Sequence, residues 1–273
     1  MTAACPACGG AAATAFPAKG TGGTPFCVER CGACGLGWTS PALPDAAIAA
    51  WYPQAYYGDG NARFHPQLER LIRLFQLRRA RVIRRRAVSG PVLDVGCGRG
   101  FLLKTLRTLG FEPHGVELCE HSAWHARRRL HIRVHVGPLS DAPYAPASFS
   151  AVVFWHTLEH FARPFEMLAK AHALLKPGGL LVVAVPNSES LQAALAGPDW
   201  FHLDVPRHYW HFGASSLRAA LSRAGFEVVK EDHFSFEQNP YGWLQSLLNM
   251  LTPRFNFLYD WLKTKSARAA PLR

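Results

Sequence analysis

Acidic residues are scarce in this chain: 19 Asp and Glu stand against 30 Lys and Arg, a formal net charge of +11 over 273 residues. That imbalance invites nucleic acid, anionic lipid or an acidic substrate as partner and names none of them. No apolar stretch is long enough to span a bilayer. The opening residues MTAACPACGG contain no basic region followed by an apolar one, so no export signal is expected and the cytoplasm is the default location. Cysteine is almost missing beyond residue 34, where only Cys97 and Cys119 occur. With 49% hydrophobic residues the chain can nevertheless bury a substantial core, as one domain with an appendage or as two domains.

The stretch Pro91 to Leu103, PVLDVGCGRGFLL, organises the rest. Val92, Leu93 and Val95 read as a buried parallel strand, Gly96, Gly98 and Gly100 as a turn no bulky residue could follow, and Leu102 to Leu109 as a helix. Backbone N–H groups at such a helix start can receive a carboxylate or another electron-rich group. By itself the pattern also suits dinucleotides or plain tight packing. Phe111 to Val116 then reads as a second strand closing on Glu117, where an acid can accept both hydroxyls of a ribose. Phe149 to Phe154 is strand-like, and Leu174 to Pro186 reads as helix end, Pro-Gly-Gly turn and strand. Ser215 to Ala224 has helical spacing stopped by Gly225, and Phe226 to Phe234 reads as a sixth strand.

The first 34 residues hold Cys5, Cys8, Cys27, Cys31 and Cys34. CPACG and CGACG are two turns that each aim two thiolates at one point, a zinc-ribbon pattern. Four sulfurs in a tetrahedron leave no open position, so Zn2+ on Cys5, Cys8, Cys31 and Cys34 is expected to be structural, with Cys27 as a spare thiol or a replacement ligand. Trp38 to Pro44 reads as an exit turn, and Asp45 as the cap of a short helix through Trp51.

Eight arginines crowd a helix expected over Pro66 to Val88, and Arg127 to Arg129 form a smaller cluster. A solvated face is preferred to a phosphate-binding surface for the long helix. In the tail, Trp243, Leu244, Leu247, Leu248 and Leu251, then Phe255, Leu258, Tyr259 and Leu262, read as two apolar helices. They either close the core or a homodimer, the preferred reading, or lie on anionic lipid with Lys263, Lys265 and Arg268.

VLDVGCGRG, GVE, FWHTLEH and LKPGG, in that order and spacing, make residues Tyr56 to Asp232 resemble the class I S-adenosylmethionine-dependent methyltransferases, in particular the bacterial small-molecule group with an LEH motif after the fourth strand. The resemblance implies an α/β, Rossmann-like sheet with helices on both faces, to which the cysteine spacing adds the small N-terminal zinc ribbon. The expected divisions are 1–40 ribbon, 41–90 linker and helical lid, 91–234 core with an insertion 187–212 over the active site, and 235–273 a helical extension. Carried over, Asp94, Gly96, Cys97, Gly98 and Gly100 would hold the methionine part of S-adenosylmethionine, and Glu117 with Leu118 the ribose. Pro138 stands where the family usually has an adenine-binding acid, so Asp141 or the backbone N–H of Leu139 would substitute; Trp155 would flank the cofactor. Ser150 replaces another acid common in the family.

By the same resemblance His160 and His156 lie beside the methyl acceptor, and the D-x-P-R-H stretch, with Asp204, Arg207 and His208, lines the acceptor site. His160, His208 and His156 are the candidate bases; Tyr56, Tyr57, His202, Arg207 and His211 are candidate substrate contacts. A metal on Glu159 and His160 is the lesser reading. The expected reaction is methyl transfer to an oxygen or carbon of a small-molecule, sugar or lipid-linked acceptor. Its rivals are an RNA methyltransferase docking through ribbon and arginine helix, and a non-catalytic adaptor that keeps the fold. Against RNA, FWHTLEH occupies the place of the Asn-Pro-Pro-Tyr-like motif that attack on a base amine would call for.

Overall fold

The computed structural model describes residues 4–5, 7–18, 26–42, 65–252 and 256–263. Tyr56, Tyr57, the helix expected from Asp45 and the basic residues Lys265 and Arg268 lie outside them. The chain divides into two units. One holds the described residues from 65 to Leu158 with Glu166–Ala184; the other holds those up to 42, Glu159–Phe165, and those from Val185 onward.

In the first unit, helix α1 (Pro66–Arg84) opens with a proline in its first turn, where a missing N–H costs nothing. Strand β4 (Pro91–Val95) leads through the glycine turn into α2 (Phe101–Thr108). Strand β5 (Glu112–Glu117), the short α3 (Glu120–Trp124) and strand β6 (Arg133–Val136) follow. Strand β7 (Phe149–Trp155), α4 (Pro164–Leu174) and β8 (Leu175–Ala184) complete a parallel sheet in the order β6-β5-β4-β7-β8. The central strands are buried on both faces, which is why β4 and β7 read as continuous apolar runs rather than alternating ones. Ala80, Ile83, Val92, Leu102, Leu106, Phe111, Ala151 and Val153 form one core cluster, and Cys97, Leu103, Leu130 and Ile132 another. Each large side chain so buried stabilises the sheet by roughly 2 kcal/mol.

Three expectations are corrected here. The arginine helix ends at Arg84, not Val88. The Pro-Gly-Gly turn lies within β8 as an irregularity, because Phe149 pairs with Leu175 but Ala151 with Leu180. Phe226 to Phe234 is not a strand: it has no regular structure, and its valines face solvent, where strand pairing would bury nothing.

In the second unit, β1 (Ala12–Ala18), β2 (Phe26–Cys31) and β3 (Gly37–Ser40) form an antiparallel ribbon. The expected exit turn at Trp38 is instead part of β3, paired on both sides: Trp38 opposes Glu29 of β2 and Trp210 of the two-residue β9 (Trp210–His211). The insertion thus supplies the ribbon's fourth strand. Phe26 and Val28 of β2 share a core cluster with Ala196, Trp200, Leu203 and Val205. Helix α5 (Leu191–Ala196) is capped by Ser190, whose hydroxyl accepts from Ala193 N at 3.1 Å. Helices α6 (Ala214–Arg223), α7 (Asn239–Leu251) and α8 (Phe257–Leu262) follow.

The core-closing reading of the tail is corrected for α7. Its buried positions are Gly242, Gln245, Ser246 and Asn249, while Leu244, Leu247 and Leu251 face outward. No helix among the described residues is long and apolar enough to cross a membrane.

Candidate functional sites

Gly96, Gly98 and Gly100 all adopt positive φ. A Cβ on Gly96 would stand 2.2 Å from the Thr157 methyl, and one on Gly100 2.7 Å from Ala126 Cβ, so these two glycines are required by packing. Gly98 differs: a Cβ there meets no described atom within 4 Å, so the space beside it is left open. Thr157 closes the turn from the other side, its hydroxyl donating to Val95 O at 3.0 Å.

Glu117 spans the mouth of this cradle. Its carboxylate accepts from Gly98 N at 2.8 Å and from Cys119 N at 2.9 Å. Burial nevertheless raises its pKa. Burial, with the Glu117 charge adding to it against the pull of Arg79, also pushes Asp94 up to about 7. Trp155, at the end of β7, leaves its buried indole N–H without a hydrogen-bond partner among the described residues, and the Arg79 guanidinium lies 4.7 Å from the ring centroid. An open cradle, two carboxyl groups and an unmet donor suit a cationic nucleoside ligand in donor set and charge. Arg79 is the residue that reading the sequence missed: one arginine among eight carries no local mark.

The other cofactor candidates differ in kind. Cys97 packs its sulfur into the core, facing the space left by Gly115. Leu139 is fully buried, Leu118 is exposed, and Asp141 is exposed with its carboxylate accepting from Ser140 at 2.8 Å. His156 sits at φ 52, a strained setting for a non-glycine residue, with its N–H on Ala184 O at 2.8 Å.

In the second unit Glu159, His160 and His208 come together, their ligand atoms all within 4.8 Å of one another. His160 Nδ1 lies 2.9 Å from Arg207 O, and His208 Nδ1 2.8 Å from His202 O. A carbonyl only accepts, so each Nδ1 carries a hydrogen, and the neutral His208 ring keeps its lone pair on Nε2. Burial, reinforced by the neighbouring His160, lowers His208 to about 4 although Asp204 pulls the other way. Burial opposes the charge on Asp204, but Arg207, bonded to it through both Nε and a terminal nitrogen, and then His208, hold that carboxyl well below the usual range.

Thr39 is the second missed residue, lying where a turn was expected. Its buried hydroxyl lies 2.7 Å from His208 O and 3.0 Å from His211 Nε2. A hydroxyl has one proton, so donation to the carbonyl makes it accept from His211 Nε2–H. Burial, then His208 and Arg30, bring His211 down to about 3, so the ring stays neutral. His202 packs edge-on to Trp200 and Phe201.

The cysteines converge as their spacing predicts. Cys5, Cys8, Cys31 and Cys34 place their sulfurs within 4.8 Å of one another, with Cys5 to Cys34 at 3.6 Å and Cys8 to Cys31 at 3.5 Å. Thiolates at ~2.3 Å from one zinc stand ~3.8 Å apart, so the set fits a tetrahedral ion. Burial opposes ionisation of Cys31, but the N–H groups of Cys34 and Ala33 bring it down to about 7. Cys27 lies on β2 outside the cluster.

A parallel sheet in this order, with a glycine cradle after its central strand and an acid after the next, defines the Rossmann-like methyltransferase fold. The profile of the methyltransferase domain family matches residues 65–231. The ubiquinone biosynthesis O-methyltransferase of Thiobacillus denitrificans is 30% identical over 196 residues, 68% of this chain and 83% of that protein. Its counterpart in Cereibacter sphaeroides is 29% identical over 167 residues, 57% and 67%. Other relatives are matched over only 54% to 66% of their length. The Burkholderia thailandensis 1,6-didemethyltoxoflavin N1-methyltransferase, solved with bound 1,6-didemethyltoxoflavin and S-adenosylhomocysteine, superimposes with a TM-score of 0.54 at 22% identity, covering 80% of this chain and 91% of that one. The chain belongs to the methyltransferase domain family, and its class is that of the S-adenosylmethionine-dependent methyltransferases.

Proposed function

We propose that this chain methylates an oxygen of a small-molecule acceptor, with S-adenosylmethionine as donor. The observation that carries the cofactor assignment is the open space at Gly98, bounded by the Glu117 carboxylate. In this reading Glu117 accepts from the ribose hydroxyls, Asp94 and the N–H groups of the glycine turn meet the methionine end, and Arg79 offers a partner for its carboxylate. Bound there, the donor supplies an activated methyl carbon on a sulfonium, so no further activation is asked of the protein. O-methylation is favoured because the relatives above bear the name of O-methyltransferases.

His160 takes the acceptor's proton on Nε2, and His208, too weakly basic to store one, accepts a hydrogen bond and orients the group. His156 and His202 are left to substrate contact. The Glu159–His160–His208 cluster favours a second reading, in which the three groups hold a divalent cation that polarises the acceptor oxygen. On Cys5, Cys8, Cys31 and Cys34 we place a structural zinc.

The test is calorimetry with S-adenosylhomocysteine, followed by donor turnover on a panel of phenolic and catecholic acceptors. Binding that disappears in Glu117→Ala supports the cradle; no binding to the wild type overturns it. Turnover surviving His160→Ala would remove the base. Turnover lost on chelation and restored by magnesium or zinc, while cofactor affinity stays constant, would select the cation reading.

A further inference from the structure

We propose that the outward faces of α7 and α8 form a docking face for an anionic lipid surface. The proposal goes beyond methyl transfer and does not depend on it.

Helix α7, NPYGWLQSLLNML, has no charged residue in 13 positions, and it is built inside out for a helix in water. Its amides point inward and bind the unit together. Gln245 Nε2 donates to Asn249 Oδ1 at 2.8 Å, and Gln245 Oε1 accepts from Tyr259 N at 2.9 Å. Asn249 Nδ2 donates to Asp199 O at 3.1 Å and to Asn256 Oδ1 at 3.0 Å, and Ser246 Oγ accepts from Phe201 N at 3.0 Å. Gln245 is 0% exposed, whereas Leu251 is 72% exposed, and Trp243, Leu244 and Leu247 face outward with it. The next helix adds Trp261, 63% exposed. A fold that needed this helix only for its core would bury leucines and show amides. Here the polar side does the internal fastening and the apolar side is left for something else.

Three features select lipid over a second copy. A helix of 13 residues is ~20 Å long, too short to cross a bilayer, and suits lying in its interface. One outward tryptophan on each helix, Trp243 and Trp261, adds the side chain most at home at the headgroup boundary. Beyond Lys263, whose amine is buried on Asp260 at 2.7 Å, the sequence has Lys265, Arg268 and Arg273 and no acid, in a chain of net charge +11. That charge draws the protein toward anionic headgroups and sets two copies against each other, and a basic segment next in sequence to an apolar face supplies the two signals stable surface binding requires.

The experiment is co-sedimentation of the whole chain with phosphatidylcholine vesicles with and without phosphatidylglycerol. Sedimentation is expected with the anionic vesicles and should weaken at high salt. Leu247→Glu combined with Leu251→Glu should lower partitioning about tenfold or more. Because both side chains are exposed, S-adenosylhomocysteine affinity and thermal stability should stay as in the wild type. Quenching of wild-type tryptophan fluorescence by brominated lipid tests the face without any variant. Failure to sediment with anionic vesicles at low salt, or absence of quenching, overturns the proposal. So does a dimer in light scattering that the double variant dissolves, which would give the face to a second copy. None of these outcomes bears on the glycine cradle.

Discussion

Thr39 of the cysteine ribbon holds His208 by the backbone: the threonine hydroxyl meets the histidine carbonyl at 2.7 Å, and Thr39 N donates to Tyr209 O at 2.9 Å. Ser215 Oγ ties the Cys34 carbonyl to the start of α6 at 3.1 Å. The ribbon is therefore part of the frame that places the D-x-P-R-H segment. Thr39→Val removes a buried hydrogen bond and leaves two groups unmet, at a cost of about 1–3 kcal/mol. Hydrogen exchange over residues 204–211 should quicken, and the acceptor KM should rise several-fold while S-adenosylhomocysteine affinity holds. Thr39→Ser should restore both. Unchanged exchange in the valine variant would show that the hydroxyl positions nothing.

Gly98→Ala separates the ligand's needs from those of the fold. The new methyl meets no described atom, and the strain of φ +52 costs about 1–2 kcal/mol. Cofactor affinity should fall at least tenfold while the melting temperature drops only a few degrees. Gly96→Ala, driven into Thr157, should instead show its main effect on stability.

Cofactor binding should depend on pH through Asp94, which burial raises to about 7. The empty, folded protein holds this proton more tightly than the unfolded chain does. Its stabilising contribution is thus complete below about pH 4 and is lost as pH rises through about 7. A cationic ligand prefers the carboxylate. Affinity should therefore be level above pH 7 and fall by up to about tenfold per unit below it. Calorimetry of Asp94→Asn against the wild type checks this, since the variant should lose that pH dependence.

Metal analysis should find about one zinc per chain, absent in Cys31→Ser. Losing it should also raise hydrogen exchange in Trp210 and His211, because β9 pairs with the strand that leaves the Cys31–Cys34 turn. A metal-free wild type with normal exchange would refute the structural role.

Much of the fold was legible because its signals are local. A strand-turn-helix needing glycine at φ > 0, an acid closing the next strand, and two CxxC turns each announce themselves within a dozen residues. Pairings between distant segments left no such mark. Nothing in Trp38 or Trp210 alone says that they will oppose one another, so the segment from Trp38 reads as a turn. The tail misled for a different reason: a run of leucines at helical spacing fixes which residues share a face, not whether that face turns inward. Arg79 was hidden by its seven arginine neighbours, since helical repetition cannot tell which of them meets a buried carboxylate.

The enlistment of Trp210 and His211 as the ribbon's fourth strand means that the cysteine module is not a detachable tag. Cutting the chain before residue 43 would strip β3 from its partner, strand an indole and an imidazole at a raw edge, and remove the hydroxyl gripping the His208 carbonyl. Such a truncation should yield a protein prone to self-association rather than a smaller transferase.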